Sequence, residues 1–384
     1  MGIENAIALN SEEEQNNFPE NLLPCIAEKW NNLAESLGSL EVFDESSVQI
    51  VRYPEGGIGV YIEKNQHETL QQQKPPLLIK GNPSPDDFLQ WTALIHHLSN
   101  LTNKPIVLFS PNLPVSRSDR VITREEHIEV NILKHYIETL SQAGVSAVVT
   151  IDGHSPRIAQ YCEESNIAVL DISILPFLLT KAFEARPDLR ETDLVVAALD
   201  KGALPRAELV SELLQNFNIS TGNIISMSKS RSDHLNTTNE ITGEIDLSGK
   251  TVFLADDVIS SGGTIIQAVN TLVQARAKQV IVLATRAEFT KQQNLQELAN
   301  MPVTIVTTNI AEPLNDTGVL SGKLIFADAD PLLNQIAESL PRLRIKEDQL
   351  VVQEDNQEIP TDQLGFVLSP CLAKLADSPR EYAA

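Results

Sequence analysis

Apolar residues along this chain fall into short continuous runs that alternate with stretches of helical spacing. Strand-like runs begin near residues 48, 77, 105, 146, 194, 251, 279 and 303. Helical spacing of apolar residues marks 88–98, 127–143, 205–214, 263–275 and 332–340. Continuous apolar runs are typical of parallel strands covered on both faces, so their alternation with helices predicts parallel α/β sheets.

The strand runs divide into two sets on either side of a helical segment at 172–190. We therefore predict the fold class as α/β, with two tandem doubly wound domains that have mainly parallel sheets. The predicted domains cover residues 46–172 and 173–345. The polar segments 1–45 and 346–384 are predicted to be N-terminal and C-terminal extensions.

The most informative segment is Val252–Thr264, VFLADDVISSGGT, in which an apolar strand ends at two carboxylates and a Ser/Gly turn leads into a helix. Backbone N–H groups at a helix N-terminus favour a phosphate, and glycine lets the chain approach it closely. Two carboxylates repel phosphate, so they suit the vicinal hydroxyls of a sugar beside it. We therefore expect a sugar phosphate here, on the residues Asp256, Asp257, Ser260, Ser261, Gly262, Gly263 and Thr264.

Charge and composition narrow the classes of partner. The chain has 384 residues and a formal net charge of −23, which argues against nucleic acid or an anionic membrane as a partner because either needs a basic surface. Its three cysteines are scattered, which predicts a reducing compartment with neither a disulfide framework nor a metal cluster. Neither a membrane-length apolar run nor a signal-peptide pattern is present, so we expect a cytoplasmic protein.

Two further segments place polar residues at predicted strand ends, where doubly wound sheets bind ligands. TIDGHSPRIAQ carries His154 and ALDKGALPRA carries Asp200. Together with the acidic Ser/Gly turn they resemble, in the same order, three motifs of ribose-phosphate diphosphokinases, the 5-phosphoribosyl 1-diphosphate (PRPP) synthetases. That family lies within the superfamily of type I phosphoribosyltransferase-like folds, and the resemblance covers roughly residues 45 to 340.

The resemblance implies roles for residues that the local pattern alone leaves open. Lys229 and Arg231 in IISMSKSR match the family's catalytic K-x-R loop, a mobile lid over the transferring diphosphoryl group. His154 and Asp200 match residues that organise the metal, directly or through water, and Mg²⁺ is the implied ion. The ATP-binding segments match in part, because Gly57 and Ser118 replace a Glu and a Gln of the family. The residues that this implies for ATP binding are Tyr53, Glu55, Arg117 and Asp119.

The implied activity is transfer of the diphosphoryl group of ATP to the 1-hydroxyl of ribose 5-phosphate, which gives PRPP and AMP. The resemblance also implies a homo-oligomer. SSGGT, the Gly-Ala after Lys201 and REEHIEVN are more similar to plant-type, class II members of the family, which are less selective for the diphosphoryl donor.

Two other functions stay open at this point. The altered ATP segments fit a non-catalytic relative that binds nucleotides or regulates active enzymes, and the SSGGT turn fits a phosphoribosyltransferase that consumes PRPP. Catalysis is favoured by the retention of Lys229, Arg231, Asp256, Asp257 and His154. The diphosphokinase is favoured over the transferase by the two tandem domains and the His154 segment.

Overall fold

Two mainly parallel sheets organise the chain in the computed structural model, which describes residues 22–123, 127–233, 236–241, 246–354 and 357–373. The helices are α1 (Leu22–Leu37), α2 (Lys64–Gln73), α3 (Phe88–Thr102), α4 (Ile132–Ala143), α5 (Arg157–Glu164), α6 (Leu175–Ala185), α7 (Leu204–Asn216), α8 (Gly263–Gln274), α9 (Gln292–Ala299), α10 (Asp330–Ser339) and α11 (Pro370–Ala373). The strands are β1 (Glu41–Phe43), β2 (Gln49–Arg52), β3 (Ile58–Tyr61), β4 (Leu77–Lys80), β5 (Ile106–Phe109), β6 (Ile122–Thr123), β7 (Ile128–Glu129), β8 (Ala147–Ile151), β9 (Ala168–Ser173), β10 (Leu194–Ala198), β11 (Ile225–Asp233), β12 (Asn236–Ile241), β13 (Thr251–Ile259), β14 (Gln279–Ala287), β15 (Val303–Thr308), β16 (Leu324–Ala327), β17 (Leu343–Lys346), β18 (Gln349–Glu354), β19 (Gln357–Pro360) and β20 (Val367–Leu368).

The first sheet has six strands in the order β1-β4-β5-β8-β9-β20. Its first five strands run parallel, and β20 returns antiparallel beside β9. The second sheet has seven strands in the order β12-β11-β10-β13-β14-β15-β16, all parallel except β12. The α/β class with mainly parallel sheets is therefore confirmed.

Continuous apolar sequence explains why the central strands lie inside. Every residue of β8, β9, β10 and β15 is buried, as expected for strands covered by helices on both faces. Parallel strands bring their carboxyl ends to one edge of a sheet. Both sheets therefore present loops at the edge where the predicted motifs lie.

The description of residues 1–45 and 346–384 as polar extensions does not hold for the parts that the structure describes. In α1, Leu22 and Trp30 are buried in the core of the first sheet, and Trp30 Nε1–H donates to the carbonyl oxygen of Leu343 at 3.1 Å. Near the other end, β20 adds a strand to the same sheet. The apolar residues of α1 have helical spacing, but the segment 1–45 is polar on average, and that average favours an extension. The domain limits remain a prediction.

Two predicted elements differ in detail. The run near residue 48 forms β2, which pairs antiparallel with β3 in a separate hairpin and not with the parallel sheet. The helix predicted from residue 127 begins at Ile132, because the Asn131 side chain accepts a hydrogen bond from the Lys134 N–H at 3.0 Å and caps it. None of the helices in the described part of the chain is both long and apolar enough to cross a membrane.

Candidate active site

An open cavity of about 760 Å³ lies where the loops of the two sheets meet. Loops that follow strands of both sheets line it. The predicted residues that line it are Arg117, Asp119, His154, Asp200, Asp256, Asp257, Ser260, Ser261, Gly262, Gly263 and Thr264. Motifs separated by up to about two fifths of the chain therefore meet at one site.

The Ser/Gly turn joins β13 to α8 and presents backbone to the cavity. Gly262 has φ +84°, a left-handed conformation that favours glycine, and its carbonyl oxygen accepts the Ile266 N–H at 3.0 Å in the first turn of α8. The Asn294 side chain donates to the Ser261 carbonyl oxygen at 2.7 Å. Because C=O and N–H point in opposite directions across a peptide, this bond directs the next N–H away from Asn294. The hydrogen bond from Asn294 thus fixes the turn, and the N-terminus of α8 lies beside the cavity.

The two adjacent carboxylates of β13 have different surroundings. Asp256 is half-buried, and its Oδ1 accepts the backbone N–H of Asp257 at 2.9 Å. The Asp257 side chain is only 3% exposed; its Oδ2 lies 3.0 Å from His154 Nδ1 and 3.2 Å from an Nη of Arg286. Its Oδ1 lies 3.7 Å from an Nη of Arg206. Asp256 therefore faces the cavity with fewer partners than Asp257.

These surroundings shift the pKa values of the two carboxyls in opposite directions. Burial acts to raise the pKa of the Asp257 carboxyl, but the Arg206 charge, the hydrogen bond with His154 and the Arg286 charge together hold that pKa below its usual range. Burial and the neighbouring Asp257 charge raise the pKa of Asp256 to about 7. Asp257 is therefore the more acidic member of the pair.

His154 comes from the first domain, on the loop that follows β8. Asp152 in this loop has φ +44°, and its Oδ2 accepts from the Thr285 hydroxyl at 2.6 Å and from the Ile174 N–H at 3.2 Å. The Gly153 carbonyl oxygen accepts from Arg206 at 3.1 Å. Side chains of the second domain therefore hold the loop that carries His154.

The remaining predicted lining residues come from the loops after β5 and β10. Asp200 follows β10, and its Oδ1 accepts the Ala203 N–H at 3.1 Å, which closes a tight turn before α7. Asp119 lies in the loop after β5, buried at 3.7 Å from both Arg120 and Arg157. Arg117 and Arg120 also line the cavity, so this wall is basic.

Two pairs of predicted residues are not among the described residues that line the cavity. Tyr53 and Glu55 lie at the turn of the β2–β3 hairpin, and neither is among the described residues that line the cavity. The Tyr53 hydroxyl contacts that of Tyr61. Lys229 and Arg231 lie on β11, two and four residues beyond Met227, which lines the cavity. Their backbone forms a hairpin with β12, whereas the sequence suggested an irregular lid; their side chains are outside the described part.

Three residues at the site were missed by the sequence analysis. Arg206, Arg286 and Cys371 come from α7, β14 and α11; the first two contact Asp257, and Arg206 and Cys371 line the cavity. Arg286 ends the apolar run QVIVLATR. A buried guanidinium needs a charged or hydrogen-bonding partner, so this pattern could have predicted a buried ion pair. Nothing local marks Cys371.

A family model described as "Phosphoribosyl transferase domain" matches residues 174–314. Among solved structures, the phosphoribosylpyrophosphate synthetase of Mycobacterium smegmatis aligns with a TM-score of 0.60 at 22% identity, covering 82% of this chain and 94% of that chain. Fold and cavity thus define a phosphoribosyltransferase-type α/β protein.

Sequence relatives narrow the class. The ribose-phosphate pyrophosphokinase of Sulfurisphaera tokodaii is 28% identical over 73% of this chain and 89% of its own length. That of Bacillus caldolyticus is 24% identical over 81% of this chain and 91% of its own length. Over most of its length the chain is thus similar to ribose-phosphate pyrophosphokinases, or PRPP synthetases. Its relation to the plant-type subclass stays a prediction.

Proposed function

We propose that this chain transfers the diphosphoryl group of ATP to ribose 5-phosphate. In this reaction the anomeric O1 attacks the β-phosphorus, the bond from that phosphorus to the oxygen bridging it to the α-phosphorus breaks, and PRPP and AMP leave. One observation carries the proposal: the acidic Ser/Gly turn, the Asp200 turn, the His154 loop and the Arg117 loop line a single cavity. A volume near 760 Å³ lies within the usual range for small-molecule sites.

Ribose 5-phosphate is assigned to the turn between β13 and α8. The N-terminus of α8 and the hydroxyls of Ser260, Ser261 and Thr264 offer donors to the 5-phosphate. Asp256, half-buried beside the cavity, is suited to accept hydrogen bonds from the ribose hydroxyls. We assign C1 to the neighbourhood of the Asp200 turn, which would receive the new diphosphate.

The residues present fit Mg²⁺ brought in with the nucleotide. Mg²⁺ takes oxygen ligands, keeps several waters, and is usually held by one or two carboxylates together with substrate phosphates. Asp200 and Asp256 supply carboxylates at the cavity, and His154 lies near them. Within the described ranges no three side chains form a metal cage by themselves, which agrees with an ion that depends on phosphate ligands. When bound, Mg²⁺ neutralises charge on the transferring phosphates.

Positive side chains complete the site. Diphosphoryl transfer depends mainly on positioning and charge neutralisation, so Lys229 and Arg231 are assigned to the transferring group and the leaving AMP. Their hairpin begins at the cavity, where Met227 lies. Arg117 and Asp119 are assigned to the nucleotide on the first-domain wall, with Tyr53 and Glu55 as the predicted adenine contacts. We place the reaction in the cytoplasm and expect a homo-oligomer.

An end-point assay tests the proposal against its alternatives. The protein is incubated with ribose 5-phosphate, ATP and Mg²⁺, and AMP and PRPP are quantified. Equal amounts of both products support a diphosphokinase. Absence of both points to a non-catalytic relative, and consumption of PRPP only after addition of a nucleobase points to a transferase.

A further inference from the structure

We infer that Asp257 is a positioning residue for His154 and does not bind the ribose, so that Asp256 alone serves the sugar hydroxyls. The sequence pattern by itself assigns both carboxylates the same role. The assignment of a catalytic role to His154 rests on the proposed function, but the contact between the two side chains does not.

Access to the Asp257 carboxylate is restricted. Asp257 is nearly fully buried, and His154, Arg286 and Arg206 surround its two oxygens at 3.0, 3.2 and 3.7 Å. A sugar hydroxyl would have to displace a charged partner to reach it. Such a displacement leaves a buried charge without its partner, which is costly. Asp256 has no comparable obstacle in the described part of the chain.

The chemistry of the imidazole points the same way. An ionised carboxylate only accepts hydrogen bonds, so the Asp257 contact requires the hydrogen of His154 to lie on Nδ1. Two guanidinium groups, which can only donate hydrogen bonds, also lie 3.7 and 3.2 Å from the Asp257 oxygens. The other ring nitrogen, Nε2, is then the one that His154 can present to the cavity it lines. A carboxylate that fixes tautomer and ring orientation in this way is a recurrent feature of functional histidines.

The loop that carries His154 is held tightly along its backbone. It contains a non-glycine residue with positive φ, Asp152, and a Cβ at Gly153 would lie 2.8 Å from Ile158 Cδ1. The second domain secures it at three successive residues, through Thr285 to Asp152, Arg206 to the Gly153 carbonyl and Asp257 to His154. Of these three contacts, only the one from Asp257 reaches the imidazole. The orientation of that ring therefore depends on Asp257.

Steady-state kinetics separate the two carboxylates. Asp257→Asn should lower kcat about 10- to 100-fold with little change in KM for ribose 5-phosphate, because loss of such a partner impairs the residue it orients. Asp256→Asn should instead raise that KM by about tenfold or more, since it removes substrate hydrogen bonds. Asp246→Asn, an exposed carboxylate paired with Arg276, is the matched control. A raised KM with unchanged kcat in Asp257→Asn overturns the inference.

A double-mutant cycle tests whether Asp257 acts through His154. If it does, Asp257→Asn should cost little further activity in a His154→Asn background. Full additivity of the two effects contradicts the inference.

Nuclear magnetic resonance provides a readout that needs no activity. With ¹⁵N-labelled histidine and assignment of His154 by His154→Asn, the wild-type protein should show the Nδ1–H tautomer at His154. Asp257→Asn should shift His154 toward Nε2–H, while Asp256→Asn should keep the wild-type tautomer. An Nε2–H tautomer in the wild type overturns the inference even if Asp257→Asn fails to fold. If the wild type makes no PRPP, the proposed function fails, and this experiment alone decides the role of Asp257.

Discussion

The floor of the cavity, formed by His154 and Asp257, and the β2–β3 hairpin differ in how the side chains predicted to be functional are held. At the floor, Asp257 on β13 contacts the imidazole of His154, and Arg206 on α7 donates to the carbonyl of the preceding residue. On the hairpin, Tyr53 is 38% exposed, and its side chain contacts another exposed tyrosine. The floor is therefore preorganised within one chain, as catalysis by positioning requires. Tyr53 and Glu55 on the hairpin are not among the described residues that line this cavity.

The largest effect is expected at β11, whose residue Met227 lines the cavity. Lys229→Ala should lower kcat by about 10²- to 10³-fold, because it removes a charge assigned to the transferring group. Binding of ribose 5-phosphate should change little. The control is Lys64→Ala, whose ammonium group is exposed on α2. Wild-type turnover in the Lys229 variant would remove Lys229 from the mechanism.

A single added methyl group should disrupt the Ser/Gly turn between β13 and α8. Gly262→Ala should raise KM for ribose 5-phosphate by about tenfold or more, because φ +84° strains alanine and its Cβ would lie 3.3 Å from Leu298 Cδ1. Gly249 also has positive φ, +78°, but no atom outside its chain neighbours lies within 4 Å of the place that a Cβ would take. Gly249→Ala should therefore lose similar stability and keep the wild-type KM. Equal KM values in both variants would mean that the turn does not bind the substrate.

The buried support of the His154 loop should show itself in the pH dependence of stability. Burial raises the pKa of Asp171, whose Oδ1 accepts the Gly153 N–H, from 3.8 to about 7. Between about pH 4 and 7 the unfolded chain loses this proton while the folded protein keeps it, so the contribution of Asp171 to wild-type stability falls with rising pH over that window. Asp171→Asn lacks this loss. Its free energy of unfolding relative to wild type should rise from pH 5 to pH 8 by on the order of 1–3 kcal/mol.

Denaturant titrations at the two pH values measure this difference. Asp188 is an exposed carboxylate whose pKa is lowered by its hydrogen bond to Arg186, so Asp188→Asn should show no such gain. A relative stability of Asp171→Asn that is independent of pH contradicts the raised pKa.

The smallest effect is expected on the hairpin. Tyr53→Ala should change the free energy of unfolding by less than about 1 kcal/mol, because the side chain is partly exposed. If the hairpin contacts adenine as the family resemblance implies, KM for ATP should rise a few-fold while KM for ribose 5-phosphate stays constant. An unchanged KM for ATP would remove Tyr53 from the nucleotide site.

Sequence predicted most of the fold and the local part of the site, because those features are written in neighbouring residues. The apolar run, carboxylates and glycines of 252–264 specify strand, turn and helix within thirteen consecutive positions. The partners of Asp257 could not be predicted in the same way, since His154 and Arg286 lie 103 and 29 residues away. Nor could the place of α1, whose Trp30 bonds to a residue 313 positions later. Such pairings are set by tertiary structure, so the spacing of residues along the sequence does not reveal them.

The most direct test of the central claim follows the β-phosphorus of ATP. The protein is incubated with ribose 5-phosphate, Mg²⁺ and ATP labelled with ³²P at the β-position, and the products are separated. We expect the label to appear in PRPP, matched by an equal amount of unlabelled AMP. Label that appears in ADP or free phosphate, with none on the sugar, would contradict diphosphoryl transfer.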